Sequence, residues 1–136
     1  MVYTIVVHMK AKSDPECIAK LKSKLVEASQ VYSKDKETVS WLVMQSVFDS
    51  REFTIVERYE NEQSQQYHLN NPYWLTFDPY VLPLLEGNMD LRRFEELDTS
   101  TEVKIESSET HQATTEYQVT NRNMLRKIGS HGGGDV

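Results

Sequence analysis

Cysteine is almost missing: Cys17 is the only one in 136 residues. That excludes an internal disulfide and any zinc cluster built on several thiolates. No apolar run approaches the ~18 residues of a spanning helix; Tyr3-Thr4-Ile5-Val6-Val7 is among the longest, and it has the length of a strand. The N-terminus lacks the basic-then-apolar layout of a secretory signal. The expected protein is therefore soluble and cytoplasmic, with no membrane partner. Positive charge is also short, at a formal net charge of −6. Nucleic-acid binders usually carry a basic stripe, so no nucleic-acid partner is expected. A Gly-rich phosphate loop, a dinucleotide fingerprint and a Gly-x-Ser-x-Gly elbow are all absent, which counts against ATP-dependent, NAD-dependent and hydrolase chemistry.

What is present divides near residue 98. Residues 1–98 hold every Trp and Phe and nearly all periodic apolar segments. Residues 99–136 are rich in Ser, Thr, Glu, Gln and Asn and end in a glycine run. Such a segment has little apolar surface to offset its ordering entropy, so a mostly disordered polar tail is expected. Within it, Tyr117 to Ile128 could form a short helix against a partner, although isolated short helices are marginal.

The body reads as strand, helix, strand, strand, helix, strand. Tyr3 to Met9 is a strand of β-branched and aromatic residues. Ser13 and Asp14 compete as helix N-cap before Pro15. Ile18, Leu21, Leu25, Ala28 and Tyr32 then form one helical stripe, predicted to end near Lys34. Val39 to Phe48 and Phe53 to Tyr59 make a hairpin across Asp49-Ser50-Arg51-Glu52. Asn61 caps a second helical region, punctuated at Asn71-Pro72 and Asp78-Pro79 into two or three pieces. Met89 to Leu97 is the last strand. The order fits an α+β, ferredoxin-like βαββαβ fold: a four-stranded antiparallel sheet with both helices on one face.

The strands are apolar on both sides. Tyr3, Ile5, Val7 and Met9 oppose Val6 and His8 on the first strand. Val39, Trp41, Val43 and Val47 oppose Leu42, Met44 and Phe48 on the second. Two helices cover one face, and an apolar face left in water marks a partner surface. A second copy, sheet against sheet, is the plainest cover, giving a homodimeric α+β barrel.

Three stretches carry a family resemblance: Phe53-Thr54-Ile55-Val56-Glu57-Arg58-Tyr59-Glu60-Asn61, Tyr67-His68-Leu69-Asn70-Asn71-Pro72-Tyr73, and Leu82-Pro83-Leu84-Leu85-Glu86-Gly87. Over residues 2 to 98 the chain resembles the antibiotic-biosynthesis monooxygenase-like family. The resemblance implies a dimeric α+β barrel. It also implies one of several activities, among them oxygenation of aromatic polyketides and quinols without any cofactor, haem degradation and an isomerase-like branch. The haem-degrading branch uses a Trp on the second helix and an axial His about ten residues beyond. Here Trp74 is followed by Leu84 at that spacing, and no His lies between His68 and His111.

Glu57 and His68 match the family pattern and are the expected catalytic pair. A carboxylate on a strand end could orient the imidazole and stabilise its cation, suiting it to take a phenolic or enolic proton. The resulting carbanion could react with dioxygen directly, so no metal or other cofactor is expected. The plainer reading is that the pair ties helix to sheet. Tyr67, Trp74 and His8 are the expected substrate-binding residues around a small aromatic, quinol or polyketide-like molecule. Arg92 and Arg93 point to opposite faces, with ion pairs to Glu95, Glu96 or Glu52 as their plainer role. The alternative function, from another class, is a non-catalytic dimeric small-molecule-binding or interaction module of the same fold.

Overall fold

Alternation of side chains builds the first strand, β1 (Tyr3–Lys10), which buries Ile5, Val7 and Met9 on one face. In the computed structural model, which describes residues 1–106, helix α1 (Pro15–Tyr32) follows. Asp14 is its N-cap, accepting from the Glu16 N–H, and Pro15 sits in the first turn, where a missing N–H costs nothing. The predicted stripe is the buried one, with Leu21, Leu25, Ala28 and Tyr32 all in the core. The helix ends at Tyr32, slightly before the expected Lys34.

Strands β2 (Thr38–Gln45) and β3 (Glu52–Tyr59) form the expected hairpin. The register slips between Thr38 and Ser40. At this β-bulge Val39 is 46% exposed, apart from the buried Trp41 with which it was expected to share a face. Val47, expected within this strand on the side of Trp41, lies beyond the end of β2 at 90% exposure. The second helical region breaks into a 3-10 turn capped by Asn61, α2 (Gln65–Leu69), α3 (Trp74–Val81) and a second 3-10 turn. Asn71-Pro72 separates α2 from α3, and the Asn71 side chain accepts from the Tyr73 N–H. No break occurs at Asp78-Pro79, because α3 runs through Pro79. The carbonyl that Pro79 leaves without an N–H belongs to Leu75, an exposed residue where water can serve it.

Strand β4 (Asp90–Glu95) closes a four-stranded antiparallel sheet of order β2-β3-β1-β4. This is the ferredoxin-like α+β arrangement. The core lies between one sheet face (Ile5, Val7, Met9, Trp41, Phe53, Ile55, Tyr59) and the apolar sides of α1 and α3 (Leu21, Leu25, Ala28, Tyr32, Phe77, Val81). The opposite face has no helix over it. It presents Leu42, Met44 and Phe94, each about half exposed, around a charged bridge in which Glu96 accepts from Arg58 and Thr4. Residues 1–98 form one compact unit, and residues 99–106 have no helix or strand. The remainder of the expected tail, including the Tyr117 to Ile128 segment, lies outside the described residues.

Candidate active site

Glu57 is a β3 residue on the helix-covered face, and pleating dictates its company. Tyr59, two residues on, shares that face, and the hairpin register sets Trp41 directly opposite. Both donate to one carboxylate oxygen, Trp41 Nε1 at 2.9 Å and Tyr59 Oη at 2.7 Å from Glu57 Oε1. His68 comes from α2 to place Nε2 at 3.4 Å from that same oxygen. Three protein groups thus converge on Oε1. Oε2 has no hydrogen bond among the described residues.

A cavity of about 240 Å³ opens beside this oxygen pair. Val7, Ile55 and Leu91 line it from the sheet, and Leu69, Trp74 and Phe77 from the helices, with Glu57 and His68 in the wall. Trp74 and Leu69 are nearly half exposed and stand where the cavity meets solvent. The lining is mostly apolar with a few convergent polar groups, the usual make-up of a small-molecule site.

Burial governs the electrostatics. Glu57 is 5% exposed, and desolvation pushes its carboxyl above the usual range, partly opposed by the Tyr59 and Trp41 donors and by Arg93. Burial lowers His68 to about 4, so its imidazole is neutral at pH 7. A neutral, weakly basic histidine thus sits beside a carboxyl of raised proton affinity. The Tyr32 ring packs edge-on to His68 at 4.1 Å and fixes the ring's tilt.

The predicted residues separate into two groups. Glu57, His68 and Trp74 meet at the cavity. His8 does not, because its place in the β1 alternation puts it on the helix-free face. There its Nδ1 lies 2.9 Å from Thr54 Oγ1, and it lines a separate depression of about 550 Å³ with Lys10, Met44 and Glu86. Tyr67 is also outside the cavity; on α2 its ring turns outward under the Lys36 ammonium. Arg93 does reach the helix face, donating to Tyr3 Oη and Gln65, whereas Arg92 pairs with Asp90 and not with the expected glutamates. Sequence reasoning missed Trp41, Tyr59, Tyr32 and Asp35 as members of the site. The hairpin register and the two-residue step from Glu57 were signals for Trp41 and Tyr59. Asp35, in the turn after α1, carried no signal. Among the described residues no group of three or more His, Cys, Asp or Glu is arranged to hold a metal ion.

A family model described as antibiotic biosynthesis monooxygenase matches residues 4–79. No curated protein matches the chain in sequence. Among solved structures, Rv0793 from Mycobacterium tuberculosis is similar, with 18% identity and a TM-score of 0.65 over 74% of this chain and all of that one. PA3566 from Pseudomonas aeruginosa gives 18% identity and 0.64 over 71% and 95%. A mutant of SnoaB, a cofactor-independent oxygenase from Streptomyces nogalater, gives 12% identity and 0.63 over 74% and 98%. At these identities the likeness is one of fold.

Proposed function

The chain belongs to the antibiotic biosynthesis monooxygenase family, and from that premise we propose that it oxygenates a small aromatic, quinol or polyketide-like molecule with dioxygen, using Glu57 as its base. The observation that carries this reading is the asymmetry of Glu57, a residue of the cavity wall: Oε1 is engaged by Trp41, Tyr59 and His68, while Oε2 accepts no hydrogen bond from the described residues. A buried carboxylate with raised proton affinity is suited to take a weakly acidic C–H or O–H proton. The cavity is below the ~300–1,000 Å³ of pockets for drug-sized ligands, which favours a substrate of few rings. The apolar lining would exclude water and hold the ring flat between Trp74 and the sheet.

For an activated methylene the step balances without an outside reductant. Glu57 takes one proton and leaves a carbanion, which transfers electrons to dioxygen and forms a C–O bond. The peroxide takes the proton back. Glu57 then removes the second C–H proton as the O–O bond breaks, so the carbon becomes a carbonyl and the other oxygen leaves as water. SnoaB, which is similar in fold, is described as a cofactor-independent oxygenase, and this supports a reaction that needs no cofactor. The sequence-based assignment of His68 as the base is replaced here by Glu57, with His68 as its neutral partner.

We further propose that the helix-free sheet face is covered by a second copy of the chain, and that the protein acts in the cytoplasm, where a free thiol such as Cys17 stays reduced. Among the described residues no helix is long and apolar enough to cross a membrane.

The test is oxygen uptake with panels of anthrones and hydroquinones. Wild type is expected to consume oxygen with at least one of them, and Glu57→Gln to be slower by ~100-fold or more. Equal uptake by the two proteins removes Glu57 from the mechanism. No uptake with any substrate, together with tight binding of one, favours the non-catalytic binding module.

A further inference from the structure

Two polar atoms beside the cavity are buried without a hydrogen bond: Asp35 Oδ2 and His68 Nδ1. They face each other at 3.9 Å. Unpaired buried polar atoms are costly, and each one in a folded protein calls for a cause. The contacts already made narrow the choice. Asp35 Oδ1 accepts from Asn71 Nδ2 at 2.7 Å, which makes Oδ1 the carbonyl-like oxygen and leaves Oδ2 as the one that can carry a proton. On the far side of the ring, Nε2 faces the Glu57 carboxylate at 3.4 Å. An N–H on Nε2 aimed at that carboxylate leaves Nδ1 with a lone pair. Two acceptors then face each other, and a single proton on Oδ2 serves both. At 3.9 Å the two atoms are beyond hydrogen-bond distance, so the bond needs the Asp35 and His68 side chains to close by about 1 Å. Burial acts in the same sense, raising Asp35 against the opposing Asn71 donor and holding His68 neutral.

Resting on the reading of Glu57 as the base, we infer that Asp35 is a positioning residue: protonated on Oδ2, it donates to His68 Nδ1, fixes the ring N–H on Nε2, and aims it at Glu57. The result is a directed chain, Asp35 to His68 to Glu57, that keeps Oε1 occupied and Oε2 as the reacting oxygen. The titratable groups facing His68 are Glu57 and Tyr59 from β3, Tyr32 at the end of α1, and Asp35. Arg93 on β4 acts on Glu57, and Asp78 on α3 lines the same cavity. None of these other groups is placed to donate to Nδ1.

Long-range 1H–15N spectra of the labelled full chain separate protonated from unprotonated ring nitrogens, with the His68 signals identified by their loss in His68→Gln. Wild type at pH 7 is expected to hold a single Nε2–H tautomer. Asp35→Asn is expected to keep it, because an amide that accepts from Asn71 through its oxygen turns its N–H toward Nδ1. Asp35→Ala is expected to lose it, giving averaged signals from both tautomers. A single Nδ1–H tautomer in wild type, a mixture in Asp35→Asn, or an unchanged tautomer in Asp35→Ala overturns the assignment. If Asp35→Ala does not fold, Asp35→Leu takes its place: it keeps the volume and offers no donor, and a single Nε2–H tautomer retained there overturns the assignment. This readout needs no turnover. Absence of oxygen uptake with the tautomer pattern intact defeats the oxygenase reading alone, whereas Glu57-dependent uptake with the pattern missing defeats the role of Asp35 alone.

Discussion

Glu57 and His68 are held at opposite ends of one physical effect. Desolvation disfavours charge on both, so it raises the acid and lowers the base. For activity, the proposed base must be ionised. Oxygen uptake is therefore expected to rise with pH through a midpoint above the ordinary glutamate value of 4.5, read from kcat/KM against pH. A flat profile across that range would detach the rate from Glu57. For stability the two signs differ. His68 is depressed from 6.5 to about 4, so the unfolded chain binds more protons in that window. Stability is full above pH 6.5 and is lost as pH falls toward 4, by on the order of 3 kcal/mol. His68→Gln should remove that slope in urea titrations run across the window. Glu57 is raised, so the folded chain binds more protons above pH 4.5, and stability falls as pH climbs through the raised value. Glu57→Gln should accordingly melt higher than wild type at pH 7, the usual exchange of stability for function at a reactive site. Of these residues, Glu57 and His68 were legible from the resemblance alone. Their protonation states were not, because desolvation depends on which side chains surround them.

The elements were legible wherever one face repeats. The Ile18-Leu21-Leu25-Ala28-Tyr32 stripe specifies α1, and Asp14 rather than Ser13 begins it because its carboxylate reaches the Glu16 N–H. Asp14→Ala should cost about 1 kcal/mol in chemical denaturation, by leaving an N-terminal donor without its cap. A loss near zero would show that solvent serves that donor equally well. Alternation likewise specified β1 and β3. It failed at Val39, where one inserted residue reverses the pleat, and at His8, whose polar ring was assigned to the cavity although its position in the strand belongs to the other face. Tyr67 failed for a related reason. A five-residue helix between two breaks has its rotation set by its ends, so spacing within it does not tell which side chain turns inward.

At the scale of the whole molecule the open question is the helix-free face. Leu42, Met44 and Phe94 are 51%, 46% and 48% exposed on it, flanked by the Arg58–Glu96 bridge. A two-chain assembly should scatter light as twice 15.8 kDa, and the double substitution Leu42→Asp with Phe94→Asp should return it to one chain with the same far-UV spectrum. Wild type already at single-chain mass would defeat the dimer. The sequence by itself determined the order of elements and the buried stripe of α1, which follow from periods of 2 and 3.6 residues that the backbone imposes locally, and that order fits the ferredoxin-like topology. Only the tertiary structure decided that Trp41, Tyr59 and His68 gather around one carboxylate, with Asp35 across the His68 ring. That meeting depends on the packing of α2 over the sheet, which is settled by contacts between residues far apart in the chain that local periodicity does not encode.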